Sequence, residues 1–411
     1  MRCYLARTLT CPPLFRELPV SFRPVLFACA AALALSACRS KEGAGAQGAP
    51  SPGPAAAAPS QKVGLVIDVG GRGDHSFNDS ALRGLETWAA GKALSANRYT
   101  PLPPGALEAS LPQELRTLTP PIRAVAVEPV VLSSKAQEDY EPNLQLLVDQ
   151  GAGLVIATGF MLENATETVA RRNPSARFLL IDSTLLDPAG NPIGLPNVRS
   201  VVFREEEGSF LAGALAGLVT KGTVGFVGGM EISLVKKFEA GFRAGVATTN
   251  PAARVLAAYT GNFDDVAAGK QVGADLLAKG ADVLFHAAGS DGVGVIQAVK
   301  EARAGGAQAW AIGVDSDQHH LAPDAVLTSM VKRVDLAVYE AARDVAAGRF
   351  TAGDTALGLA QKGVGLAEVR AEFPGKAEAL AKVEALRQRI VSGGLTIPAT
   401  LEGLPSFKAQ P

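Results

Sequence analysis

Val63-Gly-Leu-Val-Ile-Asp68 is an unbroken apolar run that ends on a carboxylate and passes into Val69-Gly70-Gly71-Arg72-Gly73. A run this short, closed by glycines, reads as a strand, and continuous apolarity is what a strand covered on both faces requires. Seven further runs share this character: Ala124 to Val127, Leu154 to Ala157, Phe178 to Asp182, Val224 to Val227, Val255 to Tyr259, Val283 to His286 and Trp310 to Asp315. Helical patterns lie between them, among them Ser80 to Leu94, Glu205 to Thr220, Leu234 to Thr248 and Val266 to Lys279. This alternation predicts βαβ units and parallel sheets. Residues 95–123 carry six prolines and no clean period, so an irregular loop is expected there.

In parallel α/β sheets, ligands bind beyond the carboxyl ends of the strands. Those ends are rich here in polar groups, glycines and aromatics: Asp68-Val-Gly-Gly, Thr158-Gly-Phe160, Asp182-Ser183, Gly228-Gly229, Tyr259 to Asp265, His286 to Gly294 and Asp315-Ser-Asp317. Phe77 lies in one polar loop, Asp74-His-Ser-Phe-Asn78, and Phe263 in another, Gly261-Asn-Phe-Asp-Asp265. Two such rings at one sheet edge could clamp a flat ligand, each stack adding about 0.5–1.5 kcal/mol beyond area burial. Asp68, Asp315 and Lys332 could bond hydroxyl groups and a base edge, or equally serve as helix caps and ion pairs.

Composition narrows the class. Of 411 residues, 47% are apolar and only 6% aromatic, which suits an Ala/Val/Leu-packed α/β core of about two domains. Net charge is −1, with no basic tract, so a nucleic-acid partner is not expected. All four cysteines, Cys3, Cys11, Cys29 and Cys38, fall in the first 38 residues, leaving the body without a thiol for disulfide, redox or thiolate–metal chemistry. The histidines, His75, His286, His319 and His320, form no i,i+4 pair, and no metal site is expected from them. No cofactor is expected either: Gly70-Gly71-Arg72-Gly73 cannot be written as GxGxxG, and no GxxxxGK[ST] occurs. Two SxxK patterns, at Ser233 and Ser329, lack the SDN and KTG partners of a serine acyl-enzyme.

The N-terminus reads as an export signal. Arg2, Arg7, Arg16 and Arg23 precede an uncharged run from Val25 to Leu35, and Leu35-Ser36-Ala37-Cys38 has the form of a lipobox. A bilayer crossing needs about 20 apolar residues, more than this run supplies. Residues 1–37 are therefore expected to be a cleaved leader and Cys38 a lipidation site. The Gly/Ala/Pro/Ser segment Arg39 to Ser60 cannot bury a core and is expected, within 38–61, to tether the body to a membrane.

Several separated blocks together resemble the basic membrane protein family, purine nucleoside receptor lipoproteins that serve ABC transporters. They are Gly64-Leu-Val-Ile-Asp68 with Ser76-Phe-Asn78, Phe203-Arg-Glu-Glu-Glu-Gly-Ser-Phe-Leu-Ala-Gly213, Val224-Gly-Phe-Val-Gly-Gly-Met230 with Lys236-Lys-Phe-Glu-Ala-Gly-Phe242, His286-Ala-Ala-Gly289, Ile312-Gly-Val-Asp-Ser-Asp-Gln318 and Leu327-Thr-Ser-Met-Val-Lys-Arg-Val-Asp335. The resemblance runs from Lys62 to about Gly365. It implies a two-lobed, periplasmic-binding-protein-like (type I) fold, each lobe a doubly wound, mostly parallel sheet flanked by helices. Lobe 1 is expected over 62–202 with 316–345 returning to it, and lobe 2 over 203–315 with 346–411 returning to it.

By motif position the resemblance implies that Asp68 binds a base, that Phe77 and Phe263 stack on it, and that Gly289, Asp315 and Lys332 bind ribose. Asn78, Phe160, Asp182 and Gly229 are further candidates from matching or neighbouring blocks. Gly-Ser-Asp after His286-Ala-Ala departs from the more usual Gly-Thr-Gly, and residues 95–123 match poorly. The function implied is non-enzymatic: capture of a nucleoside between the lobes and its delivery to a permease. A sensory receptor of the same fold and a nucleoside hydrolase are the rivals; for the latter Asp315 and Asp317 offer little support.

Overall fold

The computed structural model describes residues 60–408, so the leader, Cys38 and most of the tether lie outside the described residues. Two six-stranded sheets organise the rest. The first runs in the order β13-β7-β6-β5-β1-β4, with β1 Gln61–Ile67, β4 Val127–Ser133, β5 Leu154–Thr158, β6 Phe178–Ile181, β7 Val198–Phe203 and β13 Gly353–Leu357. All its pairs are parallel. The second runs β14-β12-β11-β10-β8-β9, with β8 Thr223–Gly228, β9 Arg254–Tyr259, β10 Val283–Ala287, β11 Trp310–Asp315, β12 Val326–Lys332 and β14 Val364–Leu366. Only its edge pair β12/β14 is antiparallel.

Taken lobe by lobe, the five principal strands of each sheet follow the doubly wound order 2-1-3-4-5. The order reverses between β1 and β5 in lobe 1 and between β8 and β10 in lobe 2. Such reversals open a crevice at the carboxyl ends of the strands.

β1 shows why the opening sequence run forms a covered strand. Val63, Leu65 and Ile67 belong to the large core on one face, and Val66 joins a second cluster with Tyr140, Leu144 and Leu147 on the other. Gly64 faces that second layer, where a Cβ would lie 2.7 Å from a Leu147 methyl. In lobe 2 a separate cluster around Leu284, Val295, Val299 and Val326 covers the outer face.

The chain crosses between lobes three times. β7 leads into α5 (Glu205–Val219), which packs on α6 (Ser233–Thr249) of lobe 2. β12 leads back to α9 (Val334–Ala346), where Tyr339 Oη donates to Arg123 O at 3.1 Å in lobe 1. β13 then pairs with β7 before the chain returns to β14 on the second sheet. This corrects the assignment of 316–345 to lobe 1. Val326–Lys332 pairs with β11 of lobe 2, and only the chain after it reaches lobe 1. The assignment of 346–411 to lobe 2 is corrected likewise, since Gly353–Leu357 is an edge strand of lobe 1.

Three local expectations also change. The helix expected from Ser80 starts earlier, at Phe77, as α1 (Phe77–Leu82), continues as a π-helix over Arg83–Ala89, and gives way to a hairpin of β2 (Lys92–Ser95) and β3 (Arg98–Pro101). The strand expected at Ala124 starts at Val127. Within 95–123, besides β3, lies a short helix α2 (Ala106–Ser110), whose Leu107 is buried together with Leu111, Leu115 and Ile122.

Candidate functional site

Nine of the ten candidate ligand-binding residues line one cleft between the lobes. Asp68, Phe77, Asn78, Phe160 and Asp182 come from lobe 1, and Phe263, Gly289, Asp315 and Lys332 from lobe 2. They gather because each follows, or closes, a strand at the carboxyl edge of its sheet. Residues not singled out from sequence also line it, notably Asp74, Leu234, Val235 and Phe238. Phe238 lies in one of the family blocks and Asp74 in the polar loop before α1, but nothing in their spacing sets them apart from core or helix caps. Gly229 is not among the lining residues. A Cβ there would strike the Phe263 ring, so this glycine makes room for that side chain.

The lobe 1 wall starts at Asp68. Its Oδ1 accepts from Asn78 Nδ2 at 2.8 Å and from Gly70 N at 3.0 Å. Burial pushes this carboxyl up, against those hydrogen bonds, and Asp264 of the opposite lobe adds to the rise. Asn78 is held by its backbone N–H, which donates to Asp74 Oδ2 at 2.7 Å, while its own Oδ1 is buried without a partner. Asp74 also accepts from Ser76 N and Asp79 N, and so organises the first turn of α1. Phe77 opens that helix. The ring of Phe263 meets Phe160 of lobe 1 edge-on, with centroids 6.4 Å apart at 70°. Phe77 lies instead near Lys332, whose Nζ is 5.2 Å from the ring centre.

Lys332 is the only cationic side chain among the lining residues. It is 2% exposed, and its Nζ lies 2.5 Å from Asp182 Oδ2 and 3.1 Å from Glu205 Oε1. Burial alone would lower this amine; Asp182, Glu205 and Asp315 more than reverse that and raise it. It therefore stays charged. Asp182 has a left-handed backbone, φ 69°, and its Oδ1 is buried without a partner. Asp315 shares that conformation, φ 62°, and its Oδ2 accepts from Ser76 Oγ at 2.5 Å across the cleft. Such backbone is uncommon for non-glycine residues and is found where a site demands it.

Further bonds draw the lobes together. Gln318 Nε2 donates to His75 O at 3.2 Å, Ser316 Oγ to Ser76 O at 3.2 Å, and Arg83 Nη2 to Ser316 Oγ at 3.2 Å. Gln318 is anchored from behind. Its Oε1 accepts from Val314 N at 3.0 Å and from His286, whose Nε2 is 2.9 Å away and therefore carries the proton. The site thus offers unpaired buried oxygens, four aromatic rings and one neutralised cation, a lining suited to a polar ligand with a flat apolar part. Among the described residues, no group of three or more His, Cys, Asp or Glu is placed to hold a metal, and no helix is long and apolar enough to cross a membrane.

Two doubly wound lobes closing on a polar and aromatic cleft define a ligand-binding receptor of the periplasmic-binding-protein-like type. The family model of PnrA-like ABC transporter substrate-binding proteins matches residues 61–400, and the chain belongs to that family, Bmp. It is 34% identical to the CD4+ T-cell-stimulating antigen of Listeria monocytogenes over 349 residues, covering 82% of this chain and 87% of the relative. It is 30% identical to the ABC transporter nucleoside-binding protein BmpA of Lactococcus lactis, covering 82% and 89%. Among solved structures, an ABC transporter solute-binding protein from Aeropyrum pernix superposes with a TM-score of 0.66 at 28% identity, covering 84% of this chain and 96% of that one. The protein is an ABC transporter substrate-binding protein.

Proposed function

We propose that this receptor captures a nucleoside, of the purine class, between its lobes and hands it to an ABC permease while held to a membrane by lipidated Cys38. The observation that carries the reading is the convergence of Asp68, Asn78, Phe77, Phe160, Asp182, Phe263, Gly289, Asp315 and Lys332 on one cleft. In this reading Asp68 and Asn78 face the base. Phe77, Phe160 and Phe263 surround its ring, a wider contact than the two-ring clamp expected from sequence. Asp182, Asp315 and Lys332 bond the sugar hydroxyls. The name of the Lactococcus relative supports the ligand class.

Chemistry gives the selectivity. A site built to bond hydroxyls leaves buried polar groups unpaired when those hydroxyls are missing, so a 2′-deoxynucleoside binds more weakly. Nothing in the lining requires catalysis, and the nucleoside is expected to leave unchanged. Residues 1–37 act as the leader and 38–61 as the lipidated tether that keeps the cleft near its permease.

Isothermal calorimetry with inosine, adenosine, guanosine and uridine tests the assignment. Binding of at least one purine nucleoside is expected, with Phe77→Ala and Asp315→Ala each weakening it by about tenfold or more while leaving the fold intact, the loss set by lost stacking and bonding. No heat with any nucleoside at high micromolar concentration rejects the ligand class. Wild-type affinity in both variants removes those two side chains from the site.

A further inference from the structure

His75 and His320 are 245 residues apart and belong to opposite lobes, yet His75 Nδ1 and His320 Nε2 stand 3.4 Å apart. His75 lies on the loop between β1 and α1, and His320 on a single 3-10 turn between β11 and β12. We propose that the two imidazoles form a divalent transition-metal clip that fastens the lobes in their closed arrangement.

Three features suit a shared ion. First, 3.4 Å is long for an N–H···N hydrogen bond. With metal–nitrogen bonds of about 2.0–2.1 Å, two nitrogens at that separation subtend about 110° at the metal, the tetrahedral angle. Second, the ring centroids are 5.3 Å apart, with planes inclined at 58°. An ion on each ring's nitrogen axis, about 3.2 Å from its centre, would subtend nearly the same angle, so the ring separation is compatible with that geometry.

Third, the tautomer of His320 is set by its other nitrogen. Nδ1 lies 3.3 Å from Asp317 O, and a carbonyl can only accept, so Nδ1 carries the proton and Nε2 presents a bare lone pair to His75. A backbone carbonyl behind a ligating imidazole is the usual orienting arrangement at metal sites.

Both lobes fix the pair. His75 holds a left-handed backbone, φ 52°, with its N–H donating to Asp79 Oδ2 at 3.0 Å and its carbonyl accepting from Gln318 Nε2. The rings open onto a polar cleft shared with Asp79, Arg83, Asp317 and Arg370, separate from the nucleoside cleft, so an ion has a path from solvent. Asp317 is engaged by Arg370 at 2.7 Å and does not complete the coordination. Water fills the remaining positions, which makes the clip weak, labile and reversible. An ion bound only when the lobes are together stabilises that state in proportion to its occupancy.

The direct test titrates the untagged, nucleoside-free chain with Zn²⁺ by calorimetry, beside His75→Ala, His320→Ala and His319→Ala. One equivalent of Zn²⁺ is expected in the wild type and in His319→Ala, and a loss of affinity of about tenfold or more in each of the other two variants. Zinc affinity equal in all four proteins, or no saturable binding by the wild type up to millimolar Zn²⁺, overturns the proposal. This arm needs no nucleoside, so its failure is distinct from failure of the proposed function. Scattering adds a second readout: Zn²⁺ is expected to reduce the radius of gyration of the wild type and not of His320→Ala, and an unchanged radius at saturating Zn²⁺ rejects the fastening role.

Discussion

Lys332 sits almost wholly out of water between Asp182 and Glu205, and each carboxylate comes from a different lobe. Buried charges persist only when paired, so this triad ties the crossing at the end of β12 to both sheets. His286 poses the opposite case, a buried titratable group kept neutral. Burial pushes its imidazole down to about 4, against the hydrogen bond to Gln318, from the ordinary 6.5. Between those values the unfolded chain binds the proton and the folded one does not. Stability from this group is therefore present above about pH 6.5 and lost as pH falls toward 4, by up to about 1.4 kcal/mol per pH unit. Asp74 and Glu206, whose carboxyls burial pushes up to about 7, act with the opposite sign over that range. The informative quantity is a difference: urea unfolding between pH 7 and 5 should cost the wild type more stability than His286→Gln. Equal pH slopes would mean that His286 is not held neutral.

Helices α5 and α6 show what their facing glycines are for. A Cβ on Gly213 would strike the Phe242 carbonyl, one on Gly241 the Glu206 carbonyl, and one on Gly245 the Phe210 carbonyl, so the two backbones touch with no side chain between them. Gly245→Ala is therefore expected to destabilise by about 1–3 kcal/mol in chemical unfolding, despite alanine's better helix propensity. An unchanged or raised midpoint would show that the helices can separate at no cost. Legibility of the elements followed their chemistry. β1, β8, β10 and β11 announce themselves because, past their first one or two residues, their side chains are buried and almost all apolar. β7, Val198–Phe203, hides behind Arg199 and Ser200; Arg199 belongs in a strand only because Thr351 O and Asp344 receive its guanidinium from distant chain. β12 likewise buries Thr328 and Ser329, whose partners are Ala367 O and Gln318 N. Polar residues in a buried strand read as loop until those partners are known.

At the scale of the whole molecule, three crossings join two lobes of like strand order, and the direct bonds from Ser76 to Asp315 and from His75 to Gln318 hold the cleft closed. In the function proposed above, a tether of Gly, Ala, Pro and Ser would give the receptor reach without orientation. Cys38→Ala is accordingly expected to abolish acyl labelling and membrane retention in cell fractionation while leaving nucleoside affinity unchanged. Retention of the variant in the membrane fraction would remove the anchor from Cys38. The amino-acid sequence alone determined the α/β class and the residue types gathered at the strand ends, because these rest on local pattern: short covered runs and polar groups after each strand. Only the tertiary structure decided which lobe owns β12 and β13, that Phe160 meets Phe263, that Lys332 is neutralised by Asp182 and Glu205, and that His75 faces His320. Those are contacts between segments often more than a hundred residues apart, and they are set by how two sheets close on each other, which no local pattern encodes.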